Sequence, residues 1–157
     1  MNEQSSINAK QSAAEVQFHW PSSKDASIQS AMFKQSNNDF VVDEQLSFSL
    51  TEEGEHCFVL VEKSGANTQW VAKKLANVFS VKERDVGYAG LKDRHAVARQ
   101  WFSIYTPGQT SPEFIEGDDE FKVLEIHRHN KKLKQGSVKQ NRFVITLRDV
   151  EGVEAEI

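Results

Sequence analysis

The sequence predicts an α+β domain, a mainly antiparallel sheet with packed helices. Three observations carry this expectation. Residues 40–48 (FVVDEQLSF) and 56–63 (HCFVLVEK) are short β-rich runs, residues 68–79 repeat their apolar positions near a period of 3.6, and residues 121–129 and 142–147 alternate with a period of two.

Residues 1–29 are rich in Ser, Gln, Asn and Ala, with isolated Val16, Phe18 and Trp20 ahead of Pro21. They read as a flexible N-terminal extension with the Phe18–Trp20 patch as its candidate anchor, and residues 30–157 as the folded part. The first two β-rich runs flank the turn residues Glu53, Gly54 and Glu55, so they are expected to pair as a hairpin. Asn67 or Thr68 then caps a helix whose apolar stripe is Trp70, Val71, Leu75, Val78 and Phe79. Ser80 and Glu83 have the S-x-x-E spacing of a capping box and predict a second, short helix.

Val86–Gly90 leads into the polar insert LKDRHAVARQ, followed by strand-like Trp101–Tyr105 and a stop at Pro107-Gly108. Residues 112–120 form an acidic loop. The alternating runs 121–129 and 142–147 flank a Lys-rich turn at 130–140, which predicts a second, long hairpin. The closing VEGVEAEI reads as the first turn of a helix, so the chain is expected to be a fragment of a longer domain.

Composition narrows the function classes. With 38% apolar and 10% aromatic residues the 157-residue chain can bury a core, which excludes a wholly disordered or low-complexity protein. Cys57 is the single cysteine and lies in the apolar run CFVLV, so it reads as a buried free thiol. Apolar runs far shorter than a membrane span, together with the absence of a signal-peptide pattern, predict no membrane association and a cytoplasmic location. The net charge of −4 is unevenly spread: residues 122–148 hold eight bases and one acid. Lys122, Arg128, Lys131, Lys132, Lys134, Lys139, Arg142 and Arg148 are either a phosphate-binding edge or a solvated, aggregation-blocking one.

The densest polar cluster beside apolar strands is Lys92-Asp93-Arg94-His95. A carboxylate between two cations stays ionised at neutral pH, which suits a nucleophile and not a general acid. The bland alternative is a charged surface turn. His127 and His129 share a strand face, but no third ligand lies nearby and their neighbours are cationic, so metal binding is not expected. Asn141 and Phe143, two residues apart, also share a face; an amide that reads a base edge beside a ring that stacks on it would hold an unstacked nucleotide. Alternatively, Phe143 is core, in phase with Ile145 and Leu147.

The run GYAGLKDRHAVARQWFSI at 87–104 resembles the TruD family of tRNA pseudouridine synthases. KQSNNDFVVDE at 34–44 is similar to that family's first motif, and RHNKKLKQGSVKQNRFVITLRDV at 128–150 to its basic hairpin ending in N-x-F. By position, the resemblance implies that Asp93 is the catalytic carboxylate, that Phe40 and Asn141 contact the target nucleotide, and that Phe143 packs on the flipped uracil. Lys34 and Lys92 would be cations near the site, one of them orienting the carboxylate. Arg128, Lys131, Lys132 and Lys134 would contact the RNA backbone.

The implied fold is the first half of a pseudouridine synthase catalytic domain, with the C-terminal half and an inserted domain absent. The implied substrate is uridine-13 of tRNA. The isomerisation moves a glycosidic bond from N1 to C5 with no net redox change, so no small-molecule cofactor and no metal are expected. The rival expectations are a non-catalytic RNA-binding module and an inactive fragment.

Overall fold

The computed structural model describes residues 28–152, which form strands β1 (Ile28–Phe33), β2 (Phe40–Leu46), β3 (His56–Ser64), β4 (Val86–Gly87), β5 (Val97–Tyr105), β6 (Phe121–His129), β7 (Val138–Ile145) and β8 (Leu147–Gly152) and helix α1 (Thr68–Val78). The main sheet has the order β6-β3-β5-β2-β7, with β4 paired to β5, while β1 and β8 make a separate antiparallel ribbon. Among the described residues only the β2–β5 pairing is parallel; the other ladders are antiparallel, in keeping with an α+β fold.

β2, β3 and β6 lie where the sequence expects strands, β5 and β7 begin four residues earlier than expected, β1, β4 and β8 are strands the sequence reading does not place, and the pairing differs as well. The hairpin expected between 40–48 and 56–63 is absent because β5 lies between β2 and β3. The long basic hairpin is also absent: β6 pairs with β3 and β7 with β2, on opposite sides of the sheet, so residues 130–137 cross from one side to the other. Burial explains the choice. β5 alternates residues for two cores and has buried side chains from Gln100 to Ile104, so it is most stable with neighbours on both edges.

One face carries Cys57, Val59 and Val61 of β3 with Phe102 and Ile104 of β5, covered by Val71, Ala72, Leu75 and Ala76 of α1. Of the expected stripe Val71 and Leu75 are buried and Trp70 and Phe79 partly so, whereas Val78 is exposed and Ala72 and Ala76 complete the buried face; Asn67 stands at the N-cap in extended conformation. Cys57 is fully buried, which pushes its thiol pKa up. The opposite face packs Phe58 and Trp101 on Leu133, which arrives from the crossover. Gly87 permits that approach, since a Cβ there would lie 2.6 Å from Leu133 O and 2.7 Å from Ser103 Oγ. His127 and His129 share this face; His127 lies between Glu52 at 2.9 Å and Glu125 at 3.0 Å, and the His129 ring stacks on Phe48 at 4.7 Å.

Three further expectations are corrected. Ser80 does not cap a helix: its φ is +53°, and a single 3-10 turn follows at Glu83–Asp85, where the Asp85 carboxylate accepts the Lys82 N–H. Residues 150–152 continue β8 instead of opening a helix, because pairing with β1 satisfies their backbone groups. Ile28 and Gln29, placed by sequence in the N-terminal extension, belong to β1. The rest of that extension, including Phe18–Trp20, and the last five residues of VEGVEAEI lie outside the described residues. Among the described residues no helix is long and apolar enough to cross a membrane.

Candidate active site

Asp93 sits on the loop between β4 and β5, at the N-terminal end of the central strand. Buried polar side chains hold the loop from below. Gln100 donates to Gly90 O at 2.6 Å and accepts from the Thr68 hydroxyl at 2.9 Å, and Thr68 in turn accepts the Lys92 N–H at 2.9 Å. Lys63 donates to Ala66 O at 2.8 Å and Asp93 O at 2.7 Å, with Lys92 O at 3.5 Å. At the surface Arg94 reaches Gly65 O at 2.8 Å. Lys63, Thr68 and Gln100 are essentially inaccessible, so these bonds are shielded from competing water.

The Asp93 carboxylate is tied from two sides. Lys34 donates to Oδ2, and the His95 N–H donates to Oδ1 at 2.9 Å. The Lys34 bond, followed by the His95 N–H, holds the Asp93 pKa below its ordinary value. Its side chain remains 40% exposed, so a substrate can reach it. Lys34 has φ +55°, a left-handed conformation that costs a non-glycine residue about 1 kcal/mol. This conformation turns the chain between β1 and β2 so that one ammonium meets both Asp93 and the Phe40 ring, whose centroid is 4.0 Å away.

Three aromatic rings converge beside this pair. Phe33 meets Phe40 edge to face at 5.7 Å, and Phe40 meets Phe143 at 5.8 Å. Phe143 lies opposite Val42, and Asn141 opposite Glu44, so both project on the face that carries the α1 core but beyond the helix. Phe143 is 54% exposed and Ile145 51%, which excludes a core role for Phe143 in this structure. Glu44, with its side chain fully buried, pairs with Lys92 Nζ at 2.5 Å and accepts the Trp101 N–H at 3.2 Å. Lys34 thus meets the Asp93 carboxylate, whereas Lys92 pairs with Glu44.

A second buried carboxylate frames the site. Asp39 takes a bidentate Arg148 contact at 2.7–3.1 Å and accepts the Ser36 N–H at 3.0 Å, and its pKa is lowered to about 2, chiefly by the Arg148 bond. It locks the turn before Phe40 to the start of β8.

The basic residues of the crossover do not join this cluster. Arg128 pairs with Cys57, which pairs with Ile104, seven residues along β5 from Val97 and so about 23 Å up the strand from the Asp93 end. Its guanidinium binds Gly54 O at 2.9 Å through Nε and Thr106 Oγ1 at 2.8 Å, and Lys132 Nζ binds Arg84 O at 2.6 Å. Lys131 and Lys134 are both exposed at the surface of the crossover.

The sequence reading does not single out Glu44, Lys63, Thr68, Gln100, Asp39 or Arg148 as parts of the site. A signal exists for two of them. Lys63 continues the inward parity of Cys57, Val59 and Val61, and Gln100 sits between inward Ala98 and Phe102, so each is a polar residue at a core position.

The chain is similar to known proteins over most of its length. The family model described as tRNA pseudouridine synthase D (TruD) matches residues 23–157. The tRNA pseudouridine synthase D of Methylococcus capsulatus is 50% identical over 119 residues, covering 75% of this chain and 34% of the relative. That of Xanthomonas campestris is 44% identical over 138 residues, covering 87% and 38%. A crystal structure of the putative TruD protein of Methanosarcina mazei superposes with a TM-score of 0.67 at 30% identity, covering 76% of this chain and 27% of that one. The chain spans about a third of the length of the curated relatives it matches. By sequence and by fold, the chain belongs to the TruD family of tRNA pseudouridine synthases.

Proposed function

We propose that this protein isomerises uridine to pseudouridine in tRNA, at uridine-13 as the family resemblance implies, with Asp93 as the catalytic carboxylate. The observation that carries the reading is the meeting of Lys34, Phe40, Asp93 and Phe143, brought together from three separate segments into one open site. The reaction breaks N1–C1′, turns the base and forms C5–C1′, while the proton on C5 is lost and N1 gains one. It requires a carboxylate that is ionised at neutral pH, either to bond C1′ as N1 leaves or to remove the 2′ proton. The Lys34 and His95 contacts favour that ionised form.

The released uracil needs a surface that retains it. Phe143, half exposed beside Phe40, offers a stacking face, and Asn141 on the same strand offers an amide for the base edge. Lys92, next to Asp93 in sequence, spends its ammonium on buried Glu44 and holds the loop to β2. Among the crossover residues, Lys131 and Lys134 offer ammonium groups for phosphates, while Arg128 and Lys132 add charge from positions already bonded to the protein. A cytoplasmic setting goes with a tRNA substrate, and the chemistry calls for no redox cofactor.

The test is pseudouridine formation in unmodified tRNA by a chimera in which this chain replaces the matching third of the Methylococcus capsulatus relative, with Asp93→Asn as the control. Product at uridine-13 that depends on Asp93 supports the reading. Equal product from the variant, checked for deamidation back to Asp, sinks it.

A further inference from the structure

Lys63 is a fully buried lysine whose ammonium, among the described residues, meets only main-chain oxygens, two of them in the loop that carries Asp93. Among those residues no carboxylate forms an ion pair with it. An unpaired buried charge is expensive, and an apolar side chain of the same length would pack there at less cost. The ammonium joins three pieces of chain: the end of β3, the entry to α1 at Ala66, and the Asp93 loop. Gln100 and Thr68 fasten the loop at Gly90 and Lys92 but do not reach Asp93. Lys63 does, at 2.7 Å from its carbonyl.

We propose that Lys63 is the positioning residue for Asp93, its ammonium clamping the Asp93 peptide so that the carboxylate faces Lys34 and the open aromatic surface. The inference rests on the proposed role of Asp93. A displacement of about 1 Å in a reacting group can cost roughly a hundredfold in rate, so a clamp on the peptide itself has catalytic leverage without touching substrate. Burial pushes the Lys63 pKa down to about 8; the Asp93 carboxylate opposes that shift and Lys92 adds to it. Its register neighbours on β5 and β6, Ala98 and Phe121, carry no charge. Above that pH the clamp loses its charge.

The experiment compares the 157-residue protein with its Lys63→Met variant by NMR. The expected result is a folded variant in which the His95 amide, which bonds the Asp93 carboxylate, exchanges at least about tenfold faster and the Asp93 carboxyl pKa rises. A role confined to packing would leave that pKa unmoved. A folded variant with unchanged exchange and unchanged Asp93 titration overturns the proposal. If the variant does not fold, the parent decides: the Asp93 carbonyl-carbon shift should follow a transition near pH 8, and a flat shift through that range overturns the clamp. Turnover is a separate arm, read in a chimera in which this chain replaces the matching third of the Methylococcus capsulatus relative, with kcat expected to fall roughly a hundredfold on Lys63→Met and tRNA affinity to hold within about threefold; a folded variant chimera that retains full kcat overturns the proposal. A parent chimera with no pseudouridine activity counts against the isomerase reading, while the NMR arms still decide the clamp.

Discussion

Lys34 and Asp93, 59 residues apart in sequence, form an ion pair at the mouth of the site, and the same ammonium lies over the face of Phe40. One cation thus orients the carboxylate and one wall of the aromatic surface together. Replacing Asp93 by Asn, nearly isosteric but unable to act as a nucleophile or base, should abolish pseudouridine formation and leave tRNA affinity within a few fold. Affinity comes from phosphate contacts that the substitution does not touch. Filter binding beside product analysis of the same samples checks both halves.

The ion pair itself is tested by Lys34→Met. The ordinary carboxylate value, 3.8, already lies well below neutrality, so Asp93 stays ionised at pH 7 with or without Lys34. A loss of rate at neutral pH therefore measures orientation, and roughly 10- to 100-fold in kcat is expected. The charge effect shows instead at acid pH. Lys34 lowers the Asp93 pKa, so removing it should move the acid limb of the pH–rate profile upward. A variant with wild-type kcat at pH 7 would mean that the His95 N–H and the Lys63 clamp suffice to aim the carboxylate.

Much of the site is legible in the sequence, and the reason is local. Asp93 stands out because Lys92, Arg94 and His95 crowd it, and Asn141 and Phe143 because their two-residue spacing puts an amide and a ring on one face, while Phe40 enters through the family resemblance alone. Pairing partners are not legible. A period of two specifies which face of β2 or β6 turns inward, but not which neighbour completes its hydrogen bonds, so adjacent runs read as hairpins although β5 displaces one partner and the crossover the other. The polar supports escape the sequence for a related reason. Lys63 and Gln100 occupy core positions, and only the folded loop above them provides the carbonyls that make such burial tolerable.

The crossover separates two kinds of lysine. Among the described residues the Lys131 and Lys134 ammonium groups have no internal partner, whereas Lys132 is bonded to Arg84 O. Replacing Lys131 and Lys134 with Gln should weaken tRNA binding and flatten its salt dependence by up to about 0.9 log unit for each duplex phosphate that is no longer neutralised. Lys132→Gln should change the slope little and lower the melting temperature instead. An unchanged slope in the double variant would return the segment to a solvated edge.

Acid stability reads out the Asp39–Arg148 lock. The Asp39 pKa is lowered from 3.8 to about 2 in the folded protein, so its contribution is fully present above about 3.8 and is lost as pH falls through about 2. Arg148→Met should therefore melt several degrees below the parent at neutral pH. The difference should shrink as Asp39 takes up its proton, because the parent then loses the same interaction. Urea titrations between pH 7 and pH 2 check this, and a gap that is constant with pH would assign the loss to packing of the arginine stem.

The open site face bears on how much the 157 residues do alone. Phe143, Ile145 and Leu147 are all more than 40% exposed, along with Met32 and Phe33 of the neighbouring ribbon, a larger run of apolar surface than a solitary domain usually leaves in water. Catalysis needs carboxylate, base and ribose held in near-attack geometry, and a stacking surface open on one side holds a nucleotide loosely. We expect the 157-residue chain to bind tRNA without measurable turnover and to self-associate through this surface. A chimera that replaces the matching third of the Methylococcus capsulatus relative with this chain should restore Asp93-dependent pseudouridine formation. Light scattering on the short chain and product analysis on both proteins make the comparison. A monomeric short chain with full activity would show that Lys34, Phe40, Asp93 and Phe143, as the fold arranges them here, suffice for the reaction.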